Sequence, residues 1–292
     1  MIITFYGVRG SVPVPGPATA KYGGNTSCVY VELNSGQNLI LDSGTGIREL
    51  GKRLRQGNDE ITILLSHGHW DHIQGYPYFA PIYQPDRRIR VFTSRPEEHG
   101  QICALFDQID GANFPLRASE LPSRAECITE NFDVLSSREN LNIRRTTINH
   151  PGGGYAYRVE EDGVSCVYAT DHELAPPVRP AISYDQWVEF CRGTDLLIHD
   201  AQYIDADMPH KHGWGHSTVS QVRQLALDAE VTCLALFHHD PDRADTEIDF
   251  IQQENARFFQ GKHAHATSLC AAEGMQIRLV PQHGRSALVV VE

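Results

Sequence analysis

With 292 residues, 41% of them hydrophobic, the chain has ample apolar material for a buried core. Its 25 Lys and Arg against 37 Asp and Glu give a formal charge of -12, and no basic run forms the footprint that phosphate binding needs, so composition argues against a dedicated duplex or RNA binder. The seven cysteines are scattered without a C-x-x-C spacing, the N-terminus lacks a signal-peptide pattern, and no apolar run reaches the ~18 residues that suggest a membrane span; the expectation is a cytoplasmic globular enzyme with no membrane partner.

In chain order, a first strand is expected over residues 2–6, followed by a Gly- and Pro-rich segment, 7–24, long enough to line a site. Short strands at 28–33 and 38–41 flank Asn34-Ser35-Gly36, a hairpin signal. Asp42-Ser43-Gly44-Thr45-Gly46 leads into a helix over 47–55, and a strand at 61–65 precedes a His-rich stretch. A strand at 89–93, a helix at 96–106 and a loop-like insertion at 107–123 come next, the last inside an accessory or lid segment around 95–140. Strands are expected at 126–131, 141–148, 156–160 and 164–169, then helix 184–191, strand 196–198, helix 219–228, strand 231–237 and helix 246–260, with final strands at 275–280 and 287–291. Two β-rich halves, each followed by helices and with no linker between them, predict one α/β domain over 1–292, two sheets packed together with helices outside.

The chemistry concentrates in His67-x-His69-x-Asp71-His72, directly after the apolar run 61–65. Neutral imidazoles and a carboxylate suit zinc or a similar divalent cation, and a strand that runs into a loop and then a helix can aim them at one point. Further ligand types stand at the ends of later apolar runs: His150 before Pro151-Gly152-Gly153-Gly154, Asp171 after 164–170, and His238 after 231–237. Strand ends of open α/β sheets are where such sites form. His239 competes with His238, and the register of the preceding run together with Asp240-Pro241 favours His238.

On these motifs the sequence resembles the metallo-β-lactamase-fold hydrolases, over nearly its whole length. The resemblance implies a four-layer αββα sandwich and two divalent metal ions, zinc first, manganese or iron as alternatives. By it, one ion takes His67, His69 and His150, the other takes Asp71, His72 and His238, and Asp171 bridges them. Two such ions polarise a scissile group and supply its attacking water, so hydrolysis needs no protein nucleophile. Asp42, in a D-x-G context, is expected to orient a ligating histidine.

The stretch Leu196-Leu197-Ile198-His199-Asp200-Ala201-Gln202 and the triplet His216-Ser217-Thr218 resemble motifs of ribonuclease Z, the phosphodiesterase branch of that fold. The resemblance implies that Asp200 supports His216 as a general acid, so that Asp71, Asp200 and His216 form the catalytic set. Asp replaces Glu at position 200, one methylene shorter. His210, Lys211, His212 and Trp214 crowd the same loop with cations and an aromatic face; Lys21, Asn25, Thr26 and Ser27 are further substrate contacts to consider, and His263 and His265 are expected at the surface. With neither an RNA-gripping arm nor a basic patch, the acidic balance turns the expected substrate to a small phosphodiester, such as a cyclic nucleotide or cyclic oligonucleotide, with no duplex nucleic acid as partner and a homodimer as a possible assembly. The alternatives are precursor-tRNA 3′ processing, lactone or thioester hydrolysis, and a binding protein that has lost turnover.

Overall fold

Period-two alternation in the strands decides the layers, because successive side chains leave a strand on opposite faces. In the computed structural model, which describes residues 1–93, 103–128, 132, 141–262, 266–282 and 285–291, Ile61 and Ile63 face one core and Leu64 another. Leu196 and Ile198 likewise face the core that contains Leu64, while Leu197 faces a third.

The strands are β1 (Ile2–Gly7), β2 (Cys28–Glu32), β3 (Asn38–Leu41), β4 (Ile61–Leu64), β5 (Arg88–Phe92), β6 (Arg124–Ile128), β7 (Leu141–Thr147), β8 (Tyr155–Glu161), β9 (Val164–Ala169), β10 (Leu196–Asp200), β11 (Cys233–Phe237), β12 (Thr267–Cys270), β13 (Gln276–Gln282) and β14 (Arg285–Val291). They form an eight-stranded sheet, ordered β14-β13-β1-β2-β3-β4-β5-β6, and a six-stranded sheet, ordered β12-β11-β10-β9-β8-β7. Phe5, Val29, Leu41 and Phe92 of the first meet Tyr157, Tyr168, Ile198 and Phe237 of the second across the central core.

The helices are α1 (Ile47–Leu54), α2 (Trp70–Ile73), α3 (Ala104–Asp107), α4 (Tyr184–Cys191), α5 (Val219–Asp228) and α6 (Asp245–Gly261). Ile47, Leu50 and Leu54 of α1 pack on the outer face of the first sheet, and Trp187 of α4, Val222 and Leu225 of α5 and Ile248 of α6 pack on the second. Two sheets flanked by helices make the αββα layering of the metallo-β-lactamase fold. Helices α4 and α5 begin at Ser183 and Thr218, whose hydroxyls accept from Gln186 N and Gln221 N while the glutamine side chains reach back. Among the described residues no helix is long and apolar enough to cross a membrane.

Three expectations need adjustment. Strand β10 runs on to Asp200 rather than stopping at Ile198, because parallel pairing of His199 with Leu236 and Asp200 with Phe237 carries the polar pair into the sheet. Strand β12 escapes the hydrophobic pattern: its sequence TSLC is half polar, and backbone pairing along β11 makes it a strand. The insertion 107–123 is not a featureless loop. Asp110 accepts from the backbone N–H groups of Ala112 and Asn113, and a bridge joins Asp110 to Arg117. The expected helix 96–106 and the segment around 95–140 lie partly outside the described residues, as do His263 and His265.

Candidate metal centre

The candidate ligands follow the carboxyl ends of β4, β7, β9 and β11, with Asp71 and His72 on α2, and the parallel register of β9, β10 and β11 brings Asp171 and His238 to one rim. The turns are abrupt. Asp42, Asp171 and His238 have φ of 61°, 52° and 57°, and Ser11, which also lines the cleft, has 64°. Left-handed backbone at non-glycine residues costs about 1–3 kcal/mol each and is held only where the surroundings determine it. Here the surroundings are the two packed sheets.

The result is two linked clusters. In the first, His69 Nδ1 lies 2.9 Å from His67 Nε2 and 3.0 Å from His150 Nε2. In the second, His238 Nε2 lies 3.1 Å from Asp71 Oδ2, and His72 Nε2 lies 3.2 Å from the same oxygen. Asp171 faces both: Oδ2 is 3.5 Å from His67 Nε2 and 3.6 Å from His150 Nε2, while Oδ1 is 3.0 Å from His238 Nε2 and 3.2 Å from His72 Nε2. Within each cluster the potential ligand atoms lie within 4.8 Å of one another. His72 Nε2 is buried, aims at two carboxylates and makes no hydrogen bond. An orphaned nitrogen among carboxylates, and imidazole nitrogens converging on one another, fit a divalent cation at each cluster.

The far sides of the rings fix their orientation. His72 Nδ1 donates to Asp42 Oδ2 at 2.8 Å, His238 Nδ1 to Gln202 Oε1 at 3.0 Å, and His150 Nδ1 to the Gly215 carbonyl at 3.1 Å. Each bond puts the proton on Nδ1 and leaves Nε2 free toward the cluster. Asp42 is itself saturated, accepting from Ser66 N, Ser66 Oγ and Tyr168 Oη at 2.7, 2.7 and 2.8 Å. Gly215, at φ 90°, passes so close to His150 that a Cβ there would lie 2.1 Å from Nδ1.

Charge separates the clusters. Burial lowers His67 well below the usual histidine range and His150 to about 4, so these imidazoles are neutral and ready to ligate. Burial would also lower His72, but Asp71, Asp171 and Asp42 outweigh it and raise it well above that range. For Asp71 and Asp171 burial acts the other way, and neighbouring imidazoles hold both well below the carboxylate range.

His216 Nδ1 donates to Asp200 Oδ2 at 3.0 Å, and its ring stacks 5.1 Å from that of His238. Burial would lower its pKa, yet Asp200, Asp171 and Asp71 raise it to about 9. Asp200, His216 and His238 also fall within 4.8 Å, but Asp200 is occupied by Gln202 N at 2.9 Å, His172 N at 3.3 Å and Ser217 N at 3.4 Å besides His216. That carboxylate serves the histidine and the turn, not a cation. His239 turns away, donating to the Ala271 carbonyl at 2.9 Å with its ring near Tyr22. His199 and His172 are buried around Trp187 instead.

A cavity of about 490 Å³ opens over the clusters, lined by Ser11, His69, Asp71, His150 and His216 and flanked by Trp70 and Trp214, 68% and 58% exposed. Lys211 Nζ lies 4.6 Å from the Trp214 ring centre and 5.5 Å from that of Tyr203. Sequence reasoning missed Glu173, whose buried carboxylate accepts from Gly213 N at 2.8 Å and Gly215 N at 3.0 Å and so holds the loop that displays Trp214. It also missed Ser66 and Tyr168, whose only sequence signal is a place next to or near the end of a strand, and the bond of Gln202, a residue of the ribonuclease Z-like stretch, to His238. Lys21 pairs with Asp249, and Asn25 with Glu273, away from the cleft.

Comparison with known proteins agrees with this geometry. Ribonuclease Z of Halobacterium salinarum is 24% identical over 280 aligned positions, covering 81% of this chain and 86% of that protein. Among solved structures, a diphosphatase of the PhnP family superposes with a TM-score of 0.63 at 20% identity over 95% of this chain and 97% of its own. Human tRNase Z, short form, superposes with a TM-score of 0.60 at 18% identity over 95% and 99%. The ribonuclease Z relatives correct one expectation. The acidic balance and the lack of an RNA-gripping arm or basic patch point to a small phosphodiester with no duplex nucleic acid as partner, yet proteins named for cutting RNA align with most of the chain. Net charge averages the whole surface, whereas a nucleic acid is gripped by a few local groups. The beta-lactamase superfamily domain matches residues 37–239, a span that holds every ligand of both clusters; the chain belongs to that superfamily, is similar to ribonuclease Z, and is a metal-dependent hydrolase.

Proposed function

We propose that the protein is a phosphodiesterase acting on RNA, with two divalent cations of the zinc class, one held by His67, His69 and His150, the other by Asp71, His72 and His238, and Asp171 shared between them. The cations supply Lewis acidity and an activated water when bound. The observation that carries the reading is the Asp200–His216 pair: His216 Nδ1 donates to Asp200 Oδ2 at 3.0 Å, which places a carboxylate-supported imidazole beside the clusters as a proton donor. A ribose alkoxide is a poor leaving group and requires that proton, whereas a thiolate does not. Asp200 orients the ring and stabilises its charged form. Glu173 keeps the Gly213–Gly215 loop over the cleft, where Lys211 can meet phosphate and Trp214 a base. The substrate class follows the relatives named ribonuclease Z and these exposed aromatics.

The test is hydrolysis by metal-reconstituted protein across a precursor tRNA with a 3′ extension, a dinucleotide, a cyclic nucleotide and a lactone. Cleavage of precursor tRNA and dinucleotide, abolished by chelator, is expected. Turnover of the lactone alone would sink the phosphodiesterase reading, and turnover of the cyclic nucleotide alone would sink RNA as its substrate.

A further inference from the structure

The insertion that follows β5 builds a second cavity, of about 360 Å³, which shares Trp70 with the metal-centre cleft and touches Gly68 between His67 and His69. We propose that this cavity is a nucleobase subsite that takes the base next to the scissile phosphate, with preference for a base carrying an exocyclic amino group. The proposal rests on the phosphodiesterase reading for its place in the reaction.

Three aromatic side chains wall the cavity: Trp70, Tyr78 and Phe114, the last two meeting edge to face at 5.8 Å between centres. Trp70 and Tyr78 are 68% and 62% exposed, although burying such rings would favour folding by about 25 cal/mol per Å². Planar faces open to solvent at the mouth of a cleft suit the stacking of a heteroaromatic ring. The amide side chains of the lining spend N–H donors on the protein itself: Gln74 Nε2 donates to Thr26 Oγ1 at 3.3 Å and Asn113 Nδ2 to Asp110 Oδ2 at 2.8 Å. Gln108 uses Nε2 to donate to the carbonyls of Ile73 at 2.7 Å and Leu105 at 3.3 Å, which leaves its Oε1 as an acceptor. Asp107 adds a carboxylate, whereas Asp110 is engaged by Ala112 N, Asn113 N and Asn113 Nδ2, and neither Lys nor Arg is among the described residues that line the cavity. Such a pocket repels phosphate and complements the amino groups of adenine, cytosine or guanine; uracil offers only one ring N–H at its pairing edge. The tie from Gln108 to Ile73 also fixes the insertion to α2, the helix that carries Asp71 and His72, so a base seated there holds its phosphate at the clusters.

Two arms test this with the metal-loaded enzyme. In the first, ApA, UpU and p-nitrophenyl methyl phosphate, which carries no base, are compared as substrates of the wild type, Tyr78→Ala and Asp107→Asn. Tyr78→Ala is expected to raise KM for ApA about tenfold, the scale of one stacked base, and to leave the base-free diester within about twofold. Asp107→Asn is expected to narrow the preference for ApA over UpU. In the second arm, calorimetry with adenosine and uridine measures binding without turnover, and Tyr78→Ala should weaken adenosine about tenfold. Equal effects of Tyr78→Ala on ApA and the base-free diester, or adenosine binding indifferent to it, would overturn the subsite. If no diester is hydrolysed, the phosphodiesterase reading fails on its own, and the adenosine titration still decides the pocket.

Discussion

The two clusters are built from similar residues and differ in what surrounds them. Asp71, His72, Asp171 and His238 are all buried, whereas in the other cluster His69 is exposed and His150 only half-buried. Behind the buried cluster stands a chain of hydrogen bonds through Asp42, Ser66, Tyr168 and Gln202; behind the open one stand Ser66 Oγ, 3.0 Å from His67 Nδ1, and the Gly215 carbonyl, 3.1 Å from His150 Nδ1. The difference divides the labour. The closed cluster sets geometry and charge, and the open one leaves room for a substrate and its water.

Substitutions that remove this asymmetry should have graded effects. Asp171→Ala takes an oxygen from both clusters, and metal analysis should find both cations lost, with hydrolysis down about a thousandfold or more, equivalent to about 4 kcal/mol of transition-state stabilisation; retention of both cations would show that Asp171 does not join them. His216→Ala should cost about 10²- to 10⁴-fold on a dinucleotide and far less on a p-nitrophenyl ester, whose leaving group needs no proton; equal slowing on both would remove it as the acid. The same residue sets a pH limit. Its pKa of about 9 in the metal-free protein lies above the ordinary 6.5, so the Asp200 pair contributes stability to the metal-free fold in full below about 6.5, and thermal melts should lose that contribution as pH rises through about 9. A profile flat to pH 10 would contradict the pairing.

Asp42→Asn keeps shape but loses the charge in direct contact with His72, and should weaken cation binding about 10- to 100-fold at the buried cluster and less at the open one, which it reaches only through Ser66; metal titration that finds both clusters equally weakened would erase the distinction drawn here. The smallest effect is expected from His239→Ala. It strands the Ala271 carbonyl, with a loss of stability of about 1–3 kcal/mol in thermal melts, and leaves metal content unchanged.

Legibility in the sequence follows the range of the interactions. The four ligands at 67–72 announce themselves by density, and His150, Asp171 and His238 by ending apolar runs, because a strand that ends at a sheet rim must deliver its next residue there. His238 against His239 turns on backbone alone: φ of 57° at His238 breaks the strand alternation and sends the neighbours apart. The Asp200–His216 contact was legible only through resemblance, Gln202 only as a member of the same motif and not as the partner of His238, and Glu173 and Tyr168 not at all. Tyr168 reaches Asp42 across 126 residues and from the opposite sheet, a pairing no local pattern encodes. Strand β12 was not anticipated because a half-polar segment takes its shape from its backbone partner.

The chain has three tryptophans. Trp187 is sealed in the core against His172, 4.0 Å between ring centres, while Trp70 and Trp214 are exposed where they line the cleft. Their emission is therefore separable by environment: acrylamide reaches the rim pair and spares the core ring. The molecule thus carries an intrinsic optical gauge, in which quenching at the rim reports ligand arrival and the blue-shifted remainder reports whether the fold is intact.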